Sequence, residues 1–274
     1  MDLWLITVNY GNIETTKGLV DSLMDCHNIN SVKVAIADNA SSQKSKNGLQ
    51  KIIDNTTLDI EIFLNDQNHF YWPAAKKALS ILKKESKNYP DWVMICNNDI
   101  TFNDKNFFNK LEKLDKNRFP IIGPNVKNEL GNSLNPFMVA PLKAIDHLYW
   151  WLYFLSYPTS HLFKVIKNWI KRFQINQGDM IYKTISPVYA VHGSAILFSS
   201  HFFNEGGWLD DNFEMYGEEL TVAEIAKTNG LPITYCPDLN LLHHEHANTK
   251  KINKKHIFNK GRDAHRYVKS VYLK

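Results

Sequence analysis

The chain has 274 residues, 44% apolar and 12% aromatic, which is enough to bury a full core in one principal domain and too short for two complete ones. Its three cysteines, Cys26, Cys96 and Cys236, are odd in number and widely spaced, which argues against a disulfide framework or a cysteine zinc site and suits small buried hydrophobes in a reducing compartment. The net charge of +4 divides into +8 over residues 250–274 and −4 elsewhere, so a general basic character gives no argument for nucleic-acid binding, and the tail alone either meets an anionic partner or is a solvated charged face.

The N-terminal stretch carries no basic leader and runs directly into an apolar segment, so no signal peptide is expected. No greasy run approaches the roughly 20 residues of a membrane-spanning helix. A cytoplasmic protein is the expectation. Four apolar runs then follow one pattern, each stopping at Asn or Asp: Leu3 to Val8 before Asn9, Val32 to Ala37 before Asp38, Ile60 to Leu64 before Asn65 and Asp66, and Trp92 to Cys96 before Asn97, Asn98 and Asp99. Continuous apolar runs of this length suit strands buried on both faces of a parallel sheet. Between them Leu19, Val20, Leu23 and Met24, and later Ala74, Ala75, Ala78, Leu79 and Leu82, recur at helical spacing, so a doubly wound α/β sheet is predicted.

Ligands of such sheets bind outside the carboxyl ends of the strands, where this sequence sets amides and carboxylates. The turn after the first run, Asn9-Tyr10-Gly11-Asn12, has one glycine and fits neither the dinucleotide fingerprint nor a phosphate loop. Bound phosphate would then need a metal rather than a backbone cradle. Further along, Glu218 and Glu219 open a predicted helix with an apolar stripe at Val222, Ile225 and Ala226. Acids favour a first helical turn for dipole reasons alone, but Gly206-Gly207 and Tyr216-Gly217 flank this pair. Adjacent helical residues point about 100° apart, so one of the two should face a substrate. In His243-His244-Glu245-His246 no fourth ligand with zinc spacing is evident.

Two segments read differently. Residues 162–173 place Leu162, Val165, Ile166, Trp169, Ile170 and Phe173 at helical spacing among Lys and Arg, after the aromatic run at 149–154. A basic amphipathic helix of this kind either packs on its own core or lies on an anionic membrane. The predicted organisation is one domain over 1–249 with a helical insertion near 140–185, followed by a basic helical tail at 250–274.

The ordered set of segments resembles the inverting family 2 glycosyltransferases with the GT-A fold. Thr7-Val8-Asn9-Tyr10 is similar to that family's first strand end, and Ile36 to Ser42 to its second, where the Asp, here Asp38, meets the nucleobase. Asn65 precedes the helix under the donor, and Asn97-Asn98-Asp99 stands at the D-x-D motif, whose last Asp ligates the metal. Gly193-Ser194-Ala195, Gly206 to Asp210, Tyr216 to Glu219 and Leu241 to His244 follow the second half in order.

The resemblance implies donor contacts from Asn9, Tyr10, Asp38, Asn65, Asn97, Asn98, Gly193 and Asp210. It implies Mg2+ or Mn2+ near Asp99 with His243 or His244, a base at Glu219 supported by Glu218, a UDP- or dTDP-sugar donor, and a saccharide or lipid-linked saccharide acceptor in surface polysaccharide assembly. A peripheral position on the inner face of the membrane would fit the basic segments. Asn97 in place of the first Asp removes one charge from a hard-cation site, and Glu219 replaces the usual Asp. Rival readings are a nucleotidyltransferase making sugar nucleotides, which should carry a glycine-rich basic loop after strand one, and an inactive sugar-nucleotide or membrane-binding module.

Overall fold

The computed structural model describes residues 1–160, 163, 183–244 and 253–273. Apart from Phe163, the stripe at 162–173 lies outside the described residues, as do Glu245 and His246. The first half alternates β1 (Leu3–Asn9), α1 (Ile13–Met24), β2 (Val32–Asn39), α2 (Gln43–Asp54), β3 (Asp59–Asn65), α3 (Tyr71–Ser86) and β4 (Trp92–Asn97). Then come β5 (Ile100–Thr101), α4 (Phe107–Glu112), β6 (Ile121–Asn128), α5 (Ala144–Tyr153), β7 (Ser186–Val188) and β8 (Ala195–Ser199). The chain closes with α6 (Ser200–Asn204), α7 (Glu218–Thr228), β9 (Ile233–His243) and α8 (Lys254–Val271).

One sheet runs β3-β2-β1-β4-β8-β6-β9-β5, with β7 also paired to β9. β1, β2, β3, β4, β6 and β9 point one way, while β8, β5 and β7 run against them. The predicted α/β sheet is therefore present and mostly parallel. The central strands β1, β4 and β8 are almost wholly apolar and buried along their length because both faces are covered, while the edge strand β3 is only partly buried. Trp4, Ile6 and Val8 of β1 join one core with Trp72, Ala75 and Ala78 of α3 and Val222 of α7, while Leu3 and Leu5 join a second core with Leu19 and Leu23 of α1 and Phe107 and Phe108 of α4. Period-two geometry sends alternate residues to opposite faces, so the two faces of β1 feed two separate cores.

α5 lies in the predicted insertion and α8 in the predicted tail, and the two meet. Phe258 of α8 sits 6.1 Å from Tyr153 and 5.7 Å from Phe154, ring centre to ring centre, and His265 sits 5.1 Å from Phe154 and 6.2 Å from Trp150. The basic tail is thus a docked helix, with Phe258, Ala264 and Val268 buried. α5 turns its opposite arc, Ile145, Leu148 and Trp151, outward, and Leu155 just beyond it is exposed as well.

Candidate active site

The strand ends converge as predicted, but their polar side chains divide into those that build the floor and those that face the cleft. Asn9 is the hub of the floor and is fully buried. Its Nδ2 donates to Asp38 Oδ1 at 2.7 Å and lies 3.3 Å from Ser41 Oγ, and its Oδ1 accepts from Thr16 Oγ1 at 3.0 Å. Asp38 spends its other oxygen on the Ser41 backbone N–H at 3.1 Å. Asn98 Nδ2 donates to the Thr15 and Thr16 hydroxyls at 3.0 and 2.9 Å, and Asn65 Nδ2 donates to Asn39 Oδ1 at 3.1 Å. Buried polar groups must be partnered, and these four find their partners in one another or in Thr15, Thr16, Asn39 and Ser41. They shape the strand ends, and Asp38 is enclosed rather than presented to a ligand. Tyr10, 56% exposed, stands on the rim.

A second corner is brought together by sheet register. β5 pairs antiparallel with β9 so that Ile100 opposes His243, and the His244 N–H donates to the Asp99 carbonyl at 2.9 Å. This sets His243 Nε2 3.0 Å from Asp99 Oδ1, both residues being buried. Asn97 Nδ2 lies 3.3 Å from the same Nε2. Asp99 Oδ1 has no other partner among the described residues, and His243 Nδ1 has none. A carboxylate oxygen and an imidazole nitrogen 3.0 Å apart share a hydrogen bond when Nε2 carries the proton, and in the other tautomer they present two lone pairs side by side, as two ligands of a divalent ion would. Among the described residues no set of three or more His, Cys, Asp or Glu side chains converges as a complete metal site, so further ligands would come from phosphate oxygens and water. His244 points the other way, 3.2 Å from Thr101 Oγ1 and 3.0 Å from Glu129, because neighbours on β9 face opposite sides. Of the two histidines named from sequence, the structure brings His243 to Asp99 and turns His244 away.

The acidic pair forms a third corner. Glu218 and Glu219 occupy the first turn of α7, where the helix N-terminus favours negative charge. Both lie against Gly193. Glu219 Oε1 accepts the Gly193 N–H at 3.1 Å, and Glu218 lies against the Gly193 Cα, where a side chain would stand 2.5 Å from Glu218 Cγ. Tyr71, at the start of α3, donates its hydroxyl to the Gly193 carbonyl at 2.9 Å, and burial first, then nearby acids, keep that phenol protonated well above its ordinary range. Burial raises both carboxyls, and Glu218 adds repulsion to Glu219, which is pushed up to about 8. Ser194, next to Gly193, accepts the Asn97 N–H at 2.9 Å and so ties the acidic corner to the Asp99 corner.

Asp210 bonds to the C-terminal region. It is fully buried, and Tyr267 and Tyr272 of the C-terminal region donate to its Oδ2 at 2.7 and 2.6 Å while Asn212 holds its Oδ1. The structure thus gives it the docking of α8. Two residues of the cleft were not singled out from sequence. His192 precedes Gly193 and lies with its ring centre 6.3 Å from that of His243; a lone His beside a buried strand carries no pattern. Tyr71 begins a helix with an ordinary apolar stripe, which hid its hydroxyl. Three non-glycine residues with left-handed backbone, Ala40, Phe70 and Tyr216, flank these corners, a strain of about 1–3 kcal/mol each that surrounding structure must hold.

No family model matches the sequence, and no curated protein matches it. Solved structures do. The chain is similar to Staphylococcus aureus TarS at a TM-score of 0.56 and 12% identity, over 89% of this chain and 37% of that one. It is similar to GalNAc-T7, solved with UDP, GalNAc and Mn2+, at a TM-score of 0.65 and 13% identity, over 99% of this chain and 49% of that one. A mannosyltransferase from Pyrobaculum calidifontis, solved with GDP-Man and Mn2+, gives a TM-score of 0.54 at 10% identity, covering 98% and 70%. The fold is therefore the GT-A fold of these glycosyltransferases, and the chain spans about a third to a half of the first two of them.

Proposed function

We propose that the protein is a glycosyltransferase that moves a sugar from a nucleotide-diphosphate donor, a UDP- or dTDP-sugar, to an acceptor hydroxyl with inversion. The observation that carries this reading is the 3.0 Å contact of Asp99 with His243, joined through Ser194 and Gly193 to a carboxylate of raised pKa at Glu219, all at the carboxyl ends of a GT-A sheet. Asp99 and His243 would hold Mg2+ or Mn2+, which neutralises charge on a diphosphate when bound. Glu219 takes the acceptor proton as the acceptor oxygen bonds to the anomeric carbon. The bond from that carbon to the diphosphate breaks, and its electron pair leaves on the diphosphate oxygen. A base whose pKa lies near working pH is the efficient one, with an effect on the order of 100-fold to 10,000-fold. Glu218 keeps Glu219 proton-hungry by its charge.

A saccharide or lipid-linked saccharide acceptor in surface polysaccharide assembly is the proposed setting, at an anionic membrane surface on the cytoplasmic side. The exposed stripe of Ile145, Leu148, Trp151 and Leu155 supports the membrane part. No described helix is long and apolar enough to cross a bilayer. Incubation with a panel of nucleotide sugars, with Mn2+ and with chelator, tests the function: metal-dependent release of nucleoside diphosphate from one donor is expected, and no turnover of any donor by folded protein in the presence of varied saccharide acceptors would overturn it.

A further inference from the structure

His192 is held on three sides. Its backbone N–H donates to Asn135 Oδ1 at 2.7 Å, its ring stands edge-to-face with Phe137 at 6.0 Å, and the His243 ring lies 6.3 Å away. The Ser194 backbone N–H donates to His192 Nδ1 at 3.1 Å, with Ser194 Oγ 2.9 Å from the same atom. A backbone N–H has no other proton state, so Nδ1 must be the unprotonated nitrogen. The neutral ring then carries its hydrogen on Nε2.

Nε2 has no protein partner among the described residues. It is the edge opposite Ser194; the residue is only part-buried and stands between the His243 ring, which contacts Asp99, and Gly193, whose N–H Glu219 accepts. Fixing a tautomer through the partner nitrogen is how proteins aim a histidine. A neutral N–H so aimed suits an oxygen acceptor. It does not suit a metal, because the ring's available lone pair is already engaged by Ser194. The oxygen with most charge to lose in a transfer from this cleft is the one that leaves with the diphosphate.

We propose that His192 Nε2–H donates a hydrogen bond to an oxygen of the bound nucleoside diphosphate and strengthens that bond as the sugar departs. This rests on the glycosyl-transfer reading, which it extends to a residue outside the metal corner and the acidic pair. Preorganised donors at developing negative charge contribute on the order of 100-fold or more to turnover.

Nitrogen NMR of 15N-histidine-labelled protein reads the tautomer directly, with His192→Gln used for assignment. The ligand-free protein should show His192 with Nε2 protonated and Nδ1 bare, and titration with UDP, dTDP and GDP, each with Mg2+, should move the Nε2–H resonance with the one that binds. His192→Phe should lower kcat roughly 100-fold with little change in donor KM, and His192→Gln, which keeps an N–H donor, should recover part of it. A protonated Nδ1, an unmoved Nε2–H in a saturated complex, or full turnover of the Phe variant would overturn the role of His192 while leaving glycosyl transfer intact. Failure of all three diphosphates to bind would overturn both.

Discussion

A single β-carbon on Gly193 would lie 2.5 Å from Glu218 Cγ and 2.9 Å from its Oε1, so the seat of one acid is defined by the missing side chain of the other segment. Gly193→Ala must therefore rotate Glu218 away from the cleft. Because the clash is with a flexible side chain, the stability cost should be at the low end of the ~1–3 kcal/mol of an overpacked site. Turnover should fall far more than the melting temperature does, which parallel kinetics and calorimetry would check; an active Gly193→Ala protein would show that Glu218 need not sit here.

The raised Glu219 makes a prediction with a definite sign. A carboxyl pushed up to about 8 in the fold binds its proton more tightly there than in the unfolded chain, near about 4.3. Its contribution to stability is complete at acid pH below that value and is lost as pH rises through about 8. Glu219→Gln should match wild type in melting temperature near pH 4 and exceed it at pH 9, while losing on the order of 100-fold or more in turnover. In wild type, kcat/KM should climb with pH toward about 8. A flat pH profile with a fully active Glu219→Gln would remove this residue from the chemistry.

Asp99→Asn removes a charged ligand and should abolish the stabilisation that Mn2+ gives the wild-type protein in thermal melts. His243→Ala should weaken it, and His244→Ala should leave it unchanged, because its ring turns to Thr101 and Glu129. Equal loss from both histidine variants would contradict the geometry of β9.

Asp210 predicts an acid-sensitive tail. Burial alone would raise its carboxyl, but hydrogen bonds from Tyr272, the Asn212 backbone and Tyr267 outweigh that and hold it below the ordinary range. A lowered carboxyl stabilises above the unfolded value and stops doing so as pH falls through the folded one, so α8 should loosen below about pH 4. Tyr267→Phe with Tyr272→Phe takes two donors from a buried charge, about 1.5–3 kcal/mol each. Hydrogen exchange should show α8 opening first; uniform protection in the double variant would mean the apolar contacts alone hold it.

Replacing Leu148 and Trp151 by Ser should reduce sedimentation with phosphatidylserine vesicles and leave the melt nearly unchanged, since both side chains are half-exposed. Unaltered vesicle binding would take α5 out of any membrane contact.

The strands of the first half are legible because burial on both faces makes their apolar runs nearly continuous, and Asn9, Asp38 and Asn97 stand at the last positions of β1, β2 and β4 or one short of them. Asp99, His243 and Glu219 were legible through the resemblance, as was the turn at Gly193. Other parts were not. That Asn9, Asp38 and Asn98 are consumed in the floor depends on Thr16 and Ser41, residues that carry no pattern by themselves. The docking of Asp210 depends on Tyr267 and Tyr272 from the far end of the chain, a pairing that no local spacing encodes. A charge run hides an apolar stripe when both share one helix, which is why Phe258, Ala264 and Val268 were read as part of a basic tail.

The register that sets Ile100 against His243 also fixes an order of events. Asp99 stands at the end of an early strand and His243 at the end of the last one, so their corner closes only when the most distant pairing in the sheet has zipped. Contacts of such long separation form after local ones, since loop closure must come first. A nascent chain that has completed β1 to β4 has a floor but no Asp99–His243 pair, so the cation uptake proposed for that pair would mark the finished sheet rather than any part of it.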